Sequence, residues 1–161
     1  MSWMSKRASV LVALLMLVGC DHATKIAAKA ELENRPPRQL IASVLELRYA
    51  ENTDVAFNVL HRIPVSVRAP LLIVFGAAAL LALGVLLLRS RAASGERAAL
   101  LLLLAGAAGN YLDRVVRGYV VDFIHVPHWP VFNVADAFVV AGVALLLLSR
   151  LRAGARRASP T

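Results

Sequence analysis

The sequence is poor in cysteine, in aromatic residues and in charge. Its 161 residues include one cysteine, 6% aromatic residues and 17% charged residues, against roughly 25% charged residues in an ordinary soluble domain. A single cysteine excludes a disulfide-stapled scaffold. The chain is nevertheless 59% hydrophobic, which excludes a disordered protein. The length suits one domain rather than two.

What the chain has instead is four long apolar runs, at residues 8–20, 69–88, 98–112 and 131–149. A membrane-spanning helix needs about 20 mostly apolar residues, so the shorter runs must extend through the polar residues at their ends. We therefore expect an all-α membrane protein with one membrane domain over residues 1–161. The expected transmembrane helices lie at approximately 8–25, 69–88, 97–114 and 131–150.

The formal net charge of +8 is distributed unevenly along the chain. Basic residues are dense at residues 6–7, 89–97 and 150–157, which lie on one side of the membrane if there are four spans. The positive-inside rule places that side in the cytoplasm, with both termini. The basic excess therefore indicates topology, and no nucleic-acid partner is expected.

Two segments are then expected outside, residues 26–68 and about 115–130. In the first, Leu45, Leu47 and Tyr49 alternate with their neighbours, which predicts a strand. The second is short and contains Gly118 and two prolines, which predicts a loop.

Ionisable residues at the ends of the spans are the clearest functional signal. They cost free energy within a membrane and usually face a bundle interior or a water-filled cavity. They are Asp21, Lys25, Asp113, Arg114, Asp122 and Asp136. We expect these residues to converge near the outer leaflet. For the first four, ion pairs that simply end a span are the alternative. The i, i+4 spacing of the first two allows an ion pair, whereas the adjacent third and fourth each need another partner.

Asp122 and Asp136 differ from the others because neither has a neighbouring cation. Two carboxyl groups in a low-dielectric site share a proton, which supplies a general base to activate water and a general acid for a leaving amine. A peptide bond at the membrane surface is a suitable substrate. Asn110 and Asn133 are expected either to hold the carboxylates or substrate, or to cap helices and bond within the bundle.

One other interpretation remains open. Basic residues, an apolar stretch and Leu17-Val18-Gly19-Cys20 are typical of a lipoprotein signal peptide, which would make Cys20 a lipidated N-terminus; otherwise Cys20 is a buried thiol. The four histidines are scattered, so no metal site is expected.

Four sequence elements together resemble the lipoprotein signal peptidase (signal peptidase II) family, in the family's order along nearly the whole chain. Asp21-His22-Ala23-Thr24-Lys25 resembles D-x-x-[ST]-K, and Gly109-Asn110-Tyr111-Leu112-Asp113-Arg114 resembles GNxxDR. Val120-Val121-Asp122-Phe123 is similar to VVDF, and Phe132-Asn133-Val134-Ala135-Asp136 is similar to FNxAD.

The resemblance implies four transmembrane helices, with a small extracytoplasmic β-cradle at approximately 38–62. It also implies an aspartyl endopeptidase of the bacterial inner membrane, with its active site near the outer leaflet, that cuts prolipoproteins before the diacylglyceryl-cysteine. A catalytically weak homologue that binds precursors or inhibitor is the alternative. We expect a monomer in contact with membrane lipid, without metal or other cofactor. The catalytic residues would be Asp122 and Asp136, and the supporting or substrate-binding residues Asp21, Lys25, Asn52, Asn110, Asp113, Arg114 and Asn133.

One element departs from the family pattern N-T-G-A-A-F-[GS]. Here it reads Asn52-Thr53-Asp54-Val55-Ala56-Phe57-Asn58, so an acid replaces a glycine that permits close backbone approach. We expect altered cradle contacts, as in a divergent paralogue. An Asp54→Gly variant with unchanged cleavage rate, substrate preference and inhibitor affinity would contradict that hypothesis.

Overall fold

The computed structural model describes residues 3–53, 64–90 and 94–158. Its four long helices are α1 (Trp3–Leu32), α2 (Val65–Arg89), α3 (Ser94–Arg117) and α4 (Val134–Ala158). Each contains a stretch long and apolar enough to cross a membrane, which confirms the expectation of four transmembrane helices. The first helix continues beyond Lys25 to Leu32, so its last two turns extend past the predicted span.

Helix α3 is the centre of the bundle and packs against α1, α2 and α4. Its glycines permit the close contact with α4. A Cβ atom on Gly109 would lie 2.5 Å from Asp21 Oδ2 and 3.2 Å from Ala135 Cβ. Small residues at helix interfaces let backbones approach, and van der Waals packing then stabilises the helix pair within lipid.

A three-stranded antiparallel sheet, in the order β1-β2-β3, lies at one end of the bundle. Its strands are β1 (Arg38–Ile41), β2 (Leu45–Asn52) and β3 (Val120–His125). Strand β2 confirms the strand predicted from alternation. Strand β3 lies in the segment that the sequence analysis treats as a loop. Because Val120 to Phe123 are all buried, β3 has no alternation of apolar and polar residues that would reveal it.

A sharp turn connects α3 to β3. Gly118 has a φ of +80°, a conformation that glycine adopts without steric cost. Its N–H donates to the Arg114 carbonyl oxygen at 3.1 Å and so ends the helix. The turn brings Asp122 of β3 back over the end of the bundle where α1 and α3 end and α4 begins.

Candidate active site

Asp122 lies on β3 and is only 3% exposed. Its Oδ1 accepts from Asn133 Nδ2 at 2.7 Å, and its Oδ2 accepts from Asn52 Nδ2 at 2.9 Å. Burial raises the pKa of this carboxyl group to about 6, and the neighbouring Asp136 charge also raises it, whereas the bonds from Asn52 and Asn133 lower it. The group can therefore hold a proton near neutral pH.

Asp136 lies in the first turn of α4 and is bound to the residue that caps the helix. The Asn133 N–H donates to Asp136 Oδ2 at 3.1 Å, and the Asp136 N–H donates to Asn133 Oδ1 at 3.0 Å. This reciprocal pair is a capping arrangement. A carboxylate in the first turn also interacts favourably with the helix dipole. Local helix-capping chemistry therefore fixes Asp136 in position.

Two asparagine side chains connect the two carboxyl groups. Asn110 Nδ2 donates to Asp136 Oδ1 at 2.8 Å. Asn133 Nδ2 donates both to Asp122 and to Asn110 Oδ1, the latter at 3.0 Å. The structure thus brings Asn110 and Asn133 into the site with Asn52. Both Asn110 and Asn133 hold carboxylates, and Asn133 also caps α4, so both sequence-based interpretations apply to Asn133.

A buried ion cluster lies beneath these asparagines. Lys25 Nζ is 2.8 Å from Asp21 Oδ2 and 3.0 Å from Asp113 Oδ2, and all three side chains are fully buried. The expected i, i+4 pair of Asp21 and Lys25 is present, and Asp113 joins it. Lys25 Nζ also donates to Asn110 Oδ1 at 3.0 Å. An ammonium group only donates, so Lys25 orients the Asn110 amide with its NH2 group toward Asp136.

The two acids of the cluster, Asp21 and Asp113, also accept hydrogen bonds from the backbone of other elements. Asp21 Oδ1 accepts from the Ala135 N–H at 2.9 Å, which ties α1 to the start of α4. Asp113 Oδ2 accepts from the Val121 N–H at 3.4 Å, which ties α3 to β3. Together they position the two elements that carry Asp136 and Asp122.

Arg114 contacts the backbone of Asn110, a residue of the site. Its Nη1 donates to the Asn110 carbonyl oxygen at 3.1 Å, one turn back on its own helix. Asp113 instead pairs with Arg117, which sequence reasoning missed. The i, i+4 spacing of Asp113 and Arg117 was the available signal.

A second cation that sequence reasoning missed is Arg68. It is 6% exposed at the start of α2, and its Nη2 donates to Thr53 Oγ1 at 3.2 Å. This bond ties α2 to the chain just after Asn52. In the sequence Arg68 only flanks the apolar run at residues 69–88, and nothing in its spacing indicates a contact with residue 53.

The remaining predicted features lie elsewhere. Asp54, Val55 and Asn58 fall outside the described residues. Cys20 is exposed within α1 rather than buried. His125 Nδ1 lies 2.8 Å from Glu46 Oε1, and within residues 3–53, 64–90 and 94–158 no cluster of three or more histidine, cysteine or acidic side chains is arranged to hold a metal.

Comparison with known proteins gives consistent matches. Residues 12–152 match the family model described as signal peptidase (SPase) II. The lipoprotein signal peptidase of Syntrophomonas wolfei is 34% identical over 142 residues, covering 88% of this chain and 92% of that protein. The lipoprotein signal peptidase of Geobacter sulfurreducens is 35% identical over 146 residues, covering 86% of this chain and 88% of that protein.

Two solved structures share the fold. One, a bacterial membrane enzyme solved by the in meso method at 2.3 Å resolution, has a TM-score of 0.81 at 24% identity and covers 96% of this chain and 94% of its own. Another bacterial membrane enzyme, solved in the same way at 1.9 Å resolution, has a TM-score of 0.78 at 26% identity and covers 89% of this chain and 93% of its own.

Proposed function

The chain belongs to the signal peptidase II family, and from that premise we propose that it is an aspartic-type endopeptidase with Asp122 and Asp136 as its catalytic pair. It removes signal peptides from lipoprotein precursors by cutting before the diacylglyceryl-cysteine. The observation that carries the assignment of the pair is the asparagine link, in which Asn133 Nδ2 donates to Asp122 at 2.7 Å and the Asn133 N–H donates to Asp136 at 3.1 Å.

The surroundings of the two carboxyl groups distinguish their roles. Asp122 is buried, and its raised pKa of about 6 lets it hold a proton. Asp136 accepts bonds from an amide NH2 and a backbone N–H and lies at a helix N-terminus, which suits a carboxylate. We therefore assign Asp136 as the general base and Asp122 as the general acid.

The reaction then proceeds with protons balanced. Asp136 accepts a proton from water as the water oxygen bonds to the scissile carbonyl carbon. Asp122 gives its proton to the peptide nitrogen as the carbon–nitrogen bond breaks, so the products are a carboxylic acid and a free amine on the cysteine. One carboxyl group starts protonated and the other ionised, and the two exchange protonation states during the cut.

The supporting residues fix geometry without taking part in proton transfer. Lys25 is neutralised by Asp21 and Asp113 and holds the Asn110 oxygen, so that the Asn110 NH2 group is presented to Asp136. Such a fixed donor needs no reorganisation when charge moves between the carboxyl groups. Asn52 does the same for Asp122 from β2.

We also propose that both termini lie in the cytoplasm and that the pair faces the outer leaflet. The support is the positive-inside rule, because the basic residues at 6–7, 89–97 and 150–157 lie on the side opposite the sheet if each helix crosses once. We further propose that the chain acts as a monomer.

The test is cleavage of a purified diacylglyceryl precursor in micelles. We expect Asp122→Asn and Asp136→Asn each to lower kcat by about 1,000-fold or more, because the amide neither accepts nor supplies the proton. The matched control is Glu96→Gln, the same chemical change at a carboxylate that pairs with Arg150 at 2.7 Å. Cleavage by either aspartate variant at the wild-type rate would contradict the pair, and an inactive wild-type protein would favour a homologue that binds without turnover.

A further inference from the structure

A cavity of about 500 Å³ lies between the end of α1 and the sheet. Its apolar wall includes Ala28, Leu32, Leu47 and Phe123. That volume is within the range of small-molecule pockets, roughly 300–1,000 Å³. The cavity therefore has the size and the lining of a ligand site, although none of the proposed catalytic or supporting residues lines it.

The cavity lies on the face of the sheet opposite the catalytic pair. Successive side chains of a strand point to opposite faces, and Phe123 follows Asp122 on β3. Asp122 contacts Asn52 and Asn133, whereas Phe123 packs in a buried cluster with Ala28 and Leu32 of α1. Neither carboxyl group is among the residues that line the cavity.

The rim of the cavity carries two arginines, Arg35 and Arg38, and one acid, Glu31. Arg35 Nη1 lies 3.1 Å from Glu31 Oε2, with the side chains 59% and 71% exposed, and exposed pairs of this kind contribute little free energy. Arg38 has no ion pair among the residues that the structure describes. Arginine presents several N–H donors in a plane, which suits a phosphate group.

The cavity lies at the level along α1 where we expect the surface of the bilayer. It lies beside the last turns of α1, at the far end of the helix range Arg7–Leu32, which contains an apolar stretch long enough to span a membrane. Apolar residues of α1 therefore line one side of the cavity, and the arginines lie just beyond the end of α1. A phospholipid presents the same order, with acyl chains toward the membrane and phosphate at its surface.

From this match we infer that the cavity binds one anionic phospholipid of the surrounding bilayer. Its phosphate lies between Arg35 and Arg38, and the upper part of its acyl chains packs against Ala28, Leu32 and Phe123. The diacylglyceryl group of a precursor fits less well, because it has no phosphate for the arginines. It must also reach Asp122 on the other face of the sheet.

The test uses the purified full-length protein in an uncharged detergent. Native mass spectrometry measures the binding of phosphatidylglycerol, phosphatidylcholine and diacylglycerol with identical chains. We expect wild type to prefer phosphatidylglycerol, and the double variant Arg35→Gln/Arg38→Gln to weaken that binding roughly 30-fold, from about 1 kcal/mol for each arginine. The matched control is Arg89→Gln/Arg152→Gln, which removes two exposed arginines at the other end of the bundle.

A second variant tests the cavity without changing charge. Ala27→Trp fills it and should abolish the preference for phosphatidylglycerol, whereas Ala30→Trp, an exposed position on α1 outside the cavity lining, should not. Unchanged binding by the arginine variant would overturn the inference. Equal binding of diacylglycerol and phosphatidylglycerol by wild type, or displacement of the lipid by excess precursor, would also overturn it and assign the cavity to substrate.

Discussion

Helices α2 and α3 both cross the membrane, but their sequences differ in hydropathy and in how much of each is buried within the protein. The most apolar stretch of α2 has a mean hydropathy of 2.9, and 6% of its residues are buried within the protein. The corresponding stretch of α3 has a mean hydropathy of 1.4, and 33% of its residues are buried. Helix α3 carries Asn110 and Asp113 in its second half, whereas residues 69–88 of α2, between Arg68 and Arg89, include no ionisable residue. The more hydrophobic helix, α2, is therefore suited to contact with lipid. The less hydrophobic α3 is suited to packing within the bundle and to carrying residues of the candidate active site.

The largest expected effect comes from the buried cluster that joins α1 to α3. Lys25→Met leaves Asp21 and Asp113 buried without their shared cation and should lower the free energy of unfolding by about 3–5 kcal/mol. Thermal unfolding in detergent measures this change. The matched control is Lys29→Met, because Lys29 is 39% exposed and pairs with Glu33 at the longer distance of 3.6 Å. If the two variants were equally stable, the buried cluster would not hold the bundle together.

A smaller effect distinguishes the packing of α3 from that of α2. Gly109→Ala places a Cβ atom 2.5 Å from Asp21 Oδ2 and should cost about 1–3 kcal/mol. Gly84→Ala on α2 meets nothing within 4 Å and should be neutral or stabilising by up to about 1 kcal/mol, since alanine favours helix. Melting temperatures of the two variants test this directly. Loss of stability in Gly84→Ala would show that α2 packs as tightly as α3.

The smallest effect is expected on the lipid-facing side of α2. Leu81 is 71% exposed, so Leu81→Ala should change the free energy of unfolding by less than about 0.5 kcal/mol. Leu100→Ala on α3, where the leucine is 7% exposed, should cost about 2 kcal/mol or more. Chemical unfolding in micelles compares them. Equal losses in the free energy of unfolding would mean that α2 and α3 do not differ in burial within the protein.

Periodicity and charge placement predicted the parts of the fold that depend on local sequence. The four apolar runs predicted the helices, and alternation around Leu47 predicted β2. Strand β3 was missed because both of its faces are buried, so its sequence has no alternation. The departure at Asp54 stays a prediction, because that residue is outside the described part of the chain.

Contacts in the site were predictable only where they are local. The pair of Asp21 and Lys25 follows from helical spacing, and so would the pair of Asp113 and Arg117. The contact of Lys25 with Asp113 joins residues far apart in the chain and depends on how α1 packs on α3. The orientation of the Asn110 amide depends on that contact in turn, so no spacing rule could have revealed it.

The pH dependence of cleavage tests the acid–base roles most directly. Because kcat/KM reports the free enzyme, we predict a fall in kcat/KM above pH about 6 as Asp122 loses its proton, with an apparent pKa that belongs to the pair. Asn52→Ala removes a bond that lowers the pKa of Asp122, so this limb should move to higher pH. A profile without this limb, or a limb that stays in place in Asn52→Ala, would contradict the assignment of Asp122 as the proton donor.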